Sequence, residues 1–234
     1  MKNTIQEKSE LVNSVFSKVY KKYDLMNDIM SLGIHRLWKE KFIEWMNPVS
    51  NSKLIDVASG TGDIAKLFSK KNNGTSQITC VEPNTGMFEE GKSNLKEFKN
   101  IKWVKSPAEK LPFDDNTFDF YSISYGIRNV TDINKTLREA FRVLKPGGRF
   151  MCLEFSKVNN EILNFFYQKY SKTIPLIGKY IVGDIHPYQY LISSINQFYS
   201  QNELLELMIS NGFSNTEYRN LSSGITAIHS GWKI

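Results

Sequence analysis

Cysteine and histidine are scarce in these 234 residues, two and three respectively. No pair of them has metal-ligand spacing, which argues against a zinc centre, and two cysteines make no disulfide framework. Cys80 and Cys152 sit inside apolar strand-like runs and read as buried, reduced thiols. No apolar run approaches the roughly 18 residues that cross a bilayer. The opening MKNTIQEKSE is polar and mixed in charge, unlike a signal or transit peptide. Internal repeats and low-complexity linkers are also missing. These absences lead to the expectation of a cytoplasmic protein, peripheral to the inner face of a membrane at most.

What is present suits one α/β domain with a real core: 41% of the residues are hydrophobic and 23% are charged. The formal net charge of +6 would suit nucleic acid or an anionic membrane surface. The lysines are scattered and no nucleic-acid-binding motif appears, so no nucleic-acid partner is expected. Residues 9–30 and 36–46 read as helices. Strands and helices then alternate: strand 53–59, helix 63–71, strand 77–83, helix 84–97, and strands 101–106 and 118–124. Helix 132–144 follows, with Ile133, Leu137, Ala140, Phe141 and Leu144 on one face. KPGG reads as a turn before strand 149–156. Such alternation predicts a parallel sheet with helices on both sides.

Residues 157–199 break the rhythm with a Tyr-, Phe- and Ile-rich insertion, in which Tyr188, Leu191, Ile192 and Ile195 share a helical face. Ser200 and Glu203 form a capping box that opens a helix closed by Gly212. Residues 213–221 and 224–230 read as a closing strand pair.

IDVASGTGDIA (55–65) reads as strand, glycine loop and helix. Gly60, Gly62 and Ala65 satisfy G-x-G-x-x-A, with Glu82 about 20 residues on, as a dinucleotide site would have it. Asp63 helps to discriminate between ligands. It sits where a dinucleotide would place its pyrophosphate, and a carboxylate there repels phosphate. S-adenosylmethionine has no phosphate and carries cationic groups, so the loop favours it over NAD. A second question lies at FDFYSIS (118–124), a core strand that runs into Tyr125, Gly126, Ile127, Arg128 and Asn129. A guanidinium and an amide at the end of a buried strand point to a ligand.

Beyond these readings, the chain resembles the ubiquinone/menaquinone biosynthesis C-methyltransferases. The likeness lies in YDLMNDIMSLGIHRLWK (23–39), DVASGTGDIA (56–65), AEKLPFDDNTFD (108–119), ISYGIRNVTD (123–132), LREAFRVLKPGGRFMCLEFSK (137–157) and SGITAIHSGWK (223–233). The resemblance implies an α/β, Rossmann-like three-layer sandwich of the class I methyltransferase type. Its seven-stranded, mostly parallel sheet would carry an N-terminal helical lid (1–46), a cofactor-binding core (47–156), the aromatic insertion (157–199) facing substrate or membrane, and a closing helix and strand pair (200–234), all in a single domain. It implies S-adenosylmethionine as cofactor, and a polyprenylated quinol whose ring carbon is methylated: a 2-polyprenyl-6-methoxy-1,4-benzoquinol, a demethylmenaquinol, or both.

Carried over residue by residue, the resemblance places Gly60, Thr61, Gly62, Glu82, Pro107, Ala108 and Ser124 at the cofactor. Glu82 stands where the family usually has Asp, and Pro107 where it usually has Asn. Arg128 would stabilise a ring phenolate and Asn129 would donate to the same oxygen. Asp24 would take the proton or hold the cofactor ammonium. Tyr20, Tyr23, Tyr125 and Tyr188 would line the substrate. Structural alternatives stand beside these roles: an Arg128 ion pair with Asp132 or Glu154, Asn129 as a helix cap, an aromatic cap formed by Tyr188 and Tyr190, and structural His35 and His229. Peripheral membrane association, a homodimer and a quinone-biosynthesis complex are left open as partners. A nicotinamide oxidoreductase, a methyltransferase for another lipid or small molecule, and a non-catalytic cofactor-binding scaffold remain as alternatives.

Overall fold

The computed structural model describes residues 2–20, 25, 27, 28, 31, 33–158 and 185–234. Helix α1 (Lys2–Val19) and helix α2 (His35–Met46) come first. There follow β1 (Lys53–Val57), α3 (Asp63–Lys71), β2 (Gln77–Val81), α4 (Thr85–Asn94), β3 (Ile101–Val104) and β4 (Phe118–Ser124). A short 3-10 turn (Ile127–Asn129) leads into α5 (Ile133–Val143) and β5 (Leu144–Phe155). After them come α6 (His186–Gln197), α7 (Gln201–Ser210), β6 (Ser214–Leu221) and β7 (Thr226–Trp232).

The seven strands make one sheet in the order β3-β2-β1-β4-β5-β7-β6. Strands β1 to β5 pair in parallel, and β7 inserts antiparallel between β5 and β6. From β1 the chain winds outward to β2 and β3, then crosses back to β4 and β5. A crevice therefore opens above the carboxyl ends of β1 and β4, where an open α/β sheet takes its ligand.

Side chains alternate across each strand, and each face has its own core. Leu54, Ile78, Cys80, Phe120, Met151 and Leu153 pack with Trp38, Phe42, Phe68, Tyr188 and Leu191. Ile55, Val57, Val81, Tyr121, Ile123 and Phe150 pack with Leu137, Ala140, Leu204 and Met208. Both cysteines are buried free thiols. The sheet, the capping box at Ser200 and the left-handed Gly212 after α7 match the sequence reading.

Three local readings are corrected. Strand β1 stops at Val57, because Ala58 turns the chain at φ 51°. KPGG is part of β5, because the end of β7 extends the ladder alongside it: Gly147 N–H donates to Lys233 O (2.7 Å) and Lys233 N–H to Gly148 O (3.0 Å). Helix α1 begins well before residue 9. Among the described residues, no helix is long and apolar enough to cross a membrane.

Candidate active site

A cavity of about 390 Å³ fills the crevice. Its walls come from α1 (Glu10, Asn13, Phe16), the β2 end (Glu82, Asn84), the loop after β3 (Pro107, Ala108, Glu109) and the β4 end (Ser124, Tyr125, Asn129). A hollow of about 30 Å³, lined by Lys39, Asp56, Thr61 and Asp63, opens beside it. The two share the lining residues Ala58, Gly60, Ser124 and Tyr125, so they lie side by side.

Close backbone approach shapes this floor. A side-chain carbon on Gly126 would lie 2.6 Å from Ala58 Cβ, so only glycine lets the β1 and β4 loops touch. Gly62 caps α3 at φ 89°, and a Cβ there would meet Leu95 at 2.5 Å. Ala58 and Tyr125 hold left-handed φ angles of 51° and 55° without being glycine. Such strain concentrates where a ligand needs a fixed backbone.

Glu82 is buried at the end of β2. Its carboxylate accepts from Gly60 N–H and Asn84 N–H, both at 2.9 Å. Two lone-pair directions stay open, enough for a ribose diol. Burial pushes its carboxyl up to about 7, against the pull of those two N–H groups. Asp56 is more extreme. It sits inside β1 at 1% exposure, and Ser122 Oγ donates to Oδ1 at 2.6 Å. Among the described residues, Asp56 Oδ2 and Ser124 Oγ have no partner. Burial pushes the Asp56 carboxyl up to about 7.

Arg128 does not line the cavity. Its guanidinium is 3% exposed and meets Glu154, itself 1% exposed, at 2.6 Å. It also donates to Tyr125 O (2.6 Å) and lies over the Phe155 ring. The ion-pair partner is therefore Glu154, not Asp132. Asp132 instead caps α5 through Lys135 N–H, so Asn129 is not that cap. Asn129 does line the cavity. Its Oδ1 accepts from Tyr190 Oη (3.0 Å) and its Nδ2 donates to Tyr125 O (3.3 Å). This fixes the amide flip and leaves one N–H over.

Of the tyrosines, Tyr125 lines both spaces, and Tyr20 packs beside Gly86 at the start of α4. Tyr188 is fully buried among Trp38 and Leu191, away from the cavity walls. Tyr23 and Asp24 lie outside the described residues. His35 and His229 are buried, on Ser31 and on Gln201 O respectively, and burial lowers each imidazole to about 4.

Asp56, Lys39 and the α1 contacts were not singled out from the sequence. Asp56 gave a signal, as a charge inside the apolar KLIDV strand. Lys39 gave another. It falls on the buried α2 stripe with His35, Trp38, Phe42, Ile43 and Met46, where a lysine needs a partner. That partner is Asp63, at 2.6 Å. The α1 contacts gave none. Lys8 Nζ donates to Val130 O (2.6 Å), and Asn84 Nδ2 donates to Asn13 Oδ1 (2.6 Å) and Ser17 Oγ (2.9 Å).

The sheet order and a crevice holding Asp56, inside β1 near its carboxyl end, and Glu82, just after β2, define a class I methyltransferase. The model of the ubiE/COQ5 methyltransferase family matches residues 2–233, and the chain belongs to that family. It is 52% identical to the ubiquinone/menaquinone biosynthesis C-methyltransferase UbiE of Rickettsia bellii, over 97% of this chain and 94% of that one. It is 43% identical to the mitochondrial 2-methoxy-6-polyprenyl-1,4-benzoquinol methylase of Dictyostelium discoideum, over 98% of this chain and 83% of that one. In fold, it is similar to a SAM-dependent methyltransferase from Thermotoga maritima, with a TM-score of 0.70 at 21% identity, covering 95% of this chain and all of that one. The methyl donor is S-adenosylmethionine. The lining fits it: a carboxylate with room for a diol at Glu82, and an unpartnered buried carboxylate at Asp56 for a cationic group.

Proposed function

We propose that the chain transfers the methyl group of S-adenosylmethionine to a ring carbon of a polyprenylated quinol in ubiquinone or menaquinone biosynthesis. The observation that carries this is near-full-length identity of about half to enzymes named for that step, joined to a cavity whose polar groups suit the donor. S-adenosylmethionine supplies an electrophilic methyl group, and the protein's work is to position the two reactants.

A ring carbon becomes nucleophilic when a neighbouring phenol loses its proton. A free phenol has a pKa of about 10, so ionising it near neutrality costs about 4 kcal/mol. Asn129 is the group we assign to the ring oxygen, because its remaining N–H borders the cavity and Tyr190 sets its orientation. Arg128 then acts at one remove. Its charge is matched by Glu154, and it holds the Tyr125 carbonyl that also receives Asn129. Asp24 stays the candidate for the departing proton. Tyr20, Tyr23 and Tyr125 are proposed to face the acceptor, and Glu82, Pro107, Ala108, Thr61 and Ser124 the donor.

Helix α1 is proposed as a lid over the donor. Its residues wall the cavity, and polar contacts from Lys8, Asn13 and Ser17 hold it there. A polyprenyl acceptor resides in a bilayer. The net charge of +6 and the exposed Leu25, Ile34 and Leu37 support reversible contact with an anionic membrane surface. The test is the quinone profile of a strain lacking the corresponding gene. A demethylated quinol should accumulate and disappear when this chain is supplied; an unchanged profile contradicts the proposal.

A further inference from the structure

Lys8 is partly buried on α1 and does not line the main cavity, although Ser9, Glu10 and Asn13 on the same helix do. Its ammonium donates to Val130 O at 2.6 Å and reaches Arg128 O at 3.4 Å. Those two carbonyls belong to the residues on either side of Asn129, at the end of the Ile127–Asn129 turn. The end of such a turn leaves carbonyls without partners in the turn itself, and one ammonium can satisfy two of them. Burial lowers the pKa of Lys8 below the ordinary lysine value, against the pull of the Glu109 carboxylate. Glu109 fastens the next residue, because its Oε1 accepts from Thr131 N–H and Thr131 Oγ, both at 2.6 Å. Further along α1, Asn13 Oδ1 and Ser17 Oγ accept from Asn84 Nδ2, and Asn84 N–H donates to Glu82. Helix α1 is thus tied at two places, beyond the end of β4 through Lys8 and beyond the end of β2 through Asn13 and Ser17.

We propose that Lys8 is a positioning residue for the acceptor, coupling the seat of α1 over the donor to the placement of Asn129. This rests on the methyl-transfer reading and adds to it a link between the places of the two reactants. A donor in the cavity meets α1 residues and fixes the helix. Lys8 carries that fixing to the carbonyls on both sides of Asn129, and so to the amide assigned to the ring oxygen. Lys8 itself contributes nothing to the cavity wall, so its effect falls on the acceptor's alignment and not on the donor's contacts. Hydrogen bonds from a charged donor are the strong kind. A misplacement of about 1 Å at a reacting group can cost about a hundredfold in rate, so a tie of this kind has leverage.

The test pairs two measurements: steady-state methyl transfer to a reduced, short-chain demethylated quinol, and calorimetry of S-adenosylhomocysteine. Lys8→Met keeps the apolar stem and removes the charged donor. Its kcat should fall about tenfold or more, the loss expected for a charge-assisted hydrogen bond. Its Kd for S-adenosylhomocysteine should stay within about threefold of wild type, because Asn13 and Ser17 still hold α1. Lys8→Arg restores a cationic donor and should recover most of the turnover. Equal losses of turnover and of S-adenosylhomocysteine affinity in Lys8→Met reduce Lys8 to a fastening of the helix and overturn the coupling. Unchanged turnover also overturns it, as does Lys8→Arg that is no better than Lys8→Met. Wild-type protein that binds S-adenosylhomocysteine yet methylates no quinol overturns the methyl-transfer reading, and the coupling with it.

Discussion

Asp56 shows how one residue couples stability to the site. Its carboxyl rises from about 4 in an unfolded chain to about 7 in the fold because burial disfavours the charged form. The folded state therefore holds a proton across that window that the unfolded state has released. Stability contributed by Asp56 is present below about pH 4 and is lost as the pH rises towards 7, by up to about 4 kcal/mol. Asp56→Asn removes this dependence. Without donor, the variant should gain stability relative to wild type as the pH is raised from 4 to 7, measured by urea unfolding at each pH. A constant difference would mean that Asp56 stays ionised throughout. His35 and His229, lowered to about 4, work in the opposite direction in both proteins and cancel in the comparison.

At the same scale, legibility was uneven. Glu82 and Ser124 could be read because they fall at fixed offsets from recognisable loops. For Arg128 the sequence names Asp132 and Glu154 as partners without choosing between them, because Glu154 is 26 residues away, on the neighbouring strand. Only the β4–β5 pairing, with Ser124 beside Leu153, brings those strand ends together.

Among the helices, α1 buries little of its described surface. Of its described side chains Val15 alone is fully buried, and much of its attachment is polar. Elements with few apolar contacts open at low free-energy cost. The double variant Asn13→Ala/Ser17→Ala should release S-adenosylhomocysteine several-fold faster in stopped flow, each lost hydrogen bond being worth about 1 kcal/mol. Its melting temperature should stay close to wild type. An unchanged release rate would remove α1 from the path of the donor. Helix periodicity placed α2 and α5 well, because their apolar stripes face the sheet. It left the start of α1 unmarked, because a mostly exposed helix shows little stripe.

On the scale of the whole molecule, alternation of strands and helices disclosed the parallel half of the sheet. The position of β7 between β5 and β6 is a long-range pairing that no local pattern encodes. The glycine loop alone fits a nicotinamide enzyme equally well. Asp63 against phosphate and family membership decide for methyl transfer. The most direct measurement supplies purified protein with methyl-labelled S-adenosylmethionine and a short-chain demethylated acceptor, in reduced and oxidised forms separately. The account predicts label on a ring carbon of the quinol and none on the quinone, since only the quinol can form the phenolate. Bound donor with no transfer to the quinol, or equal transfer to both forms, would contradict it.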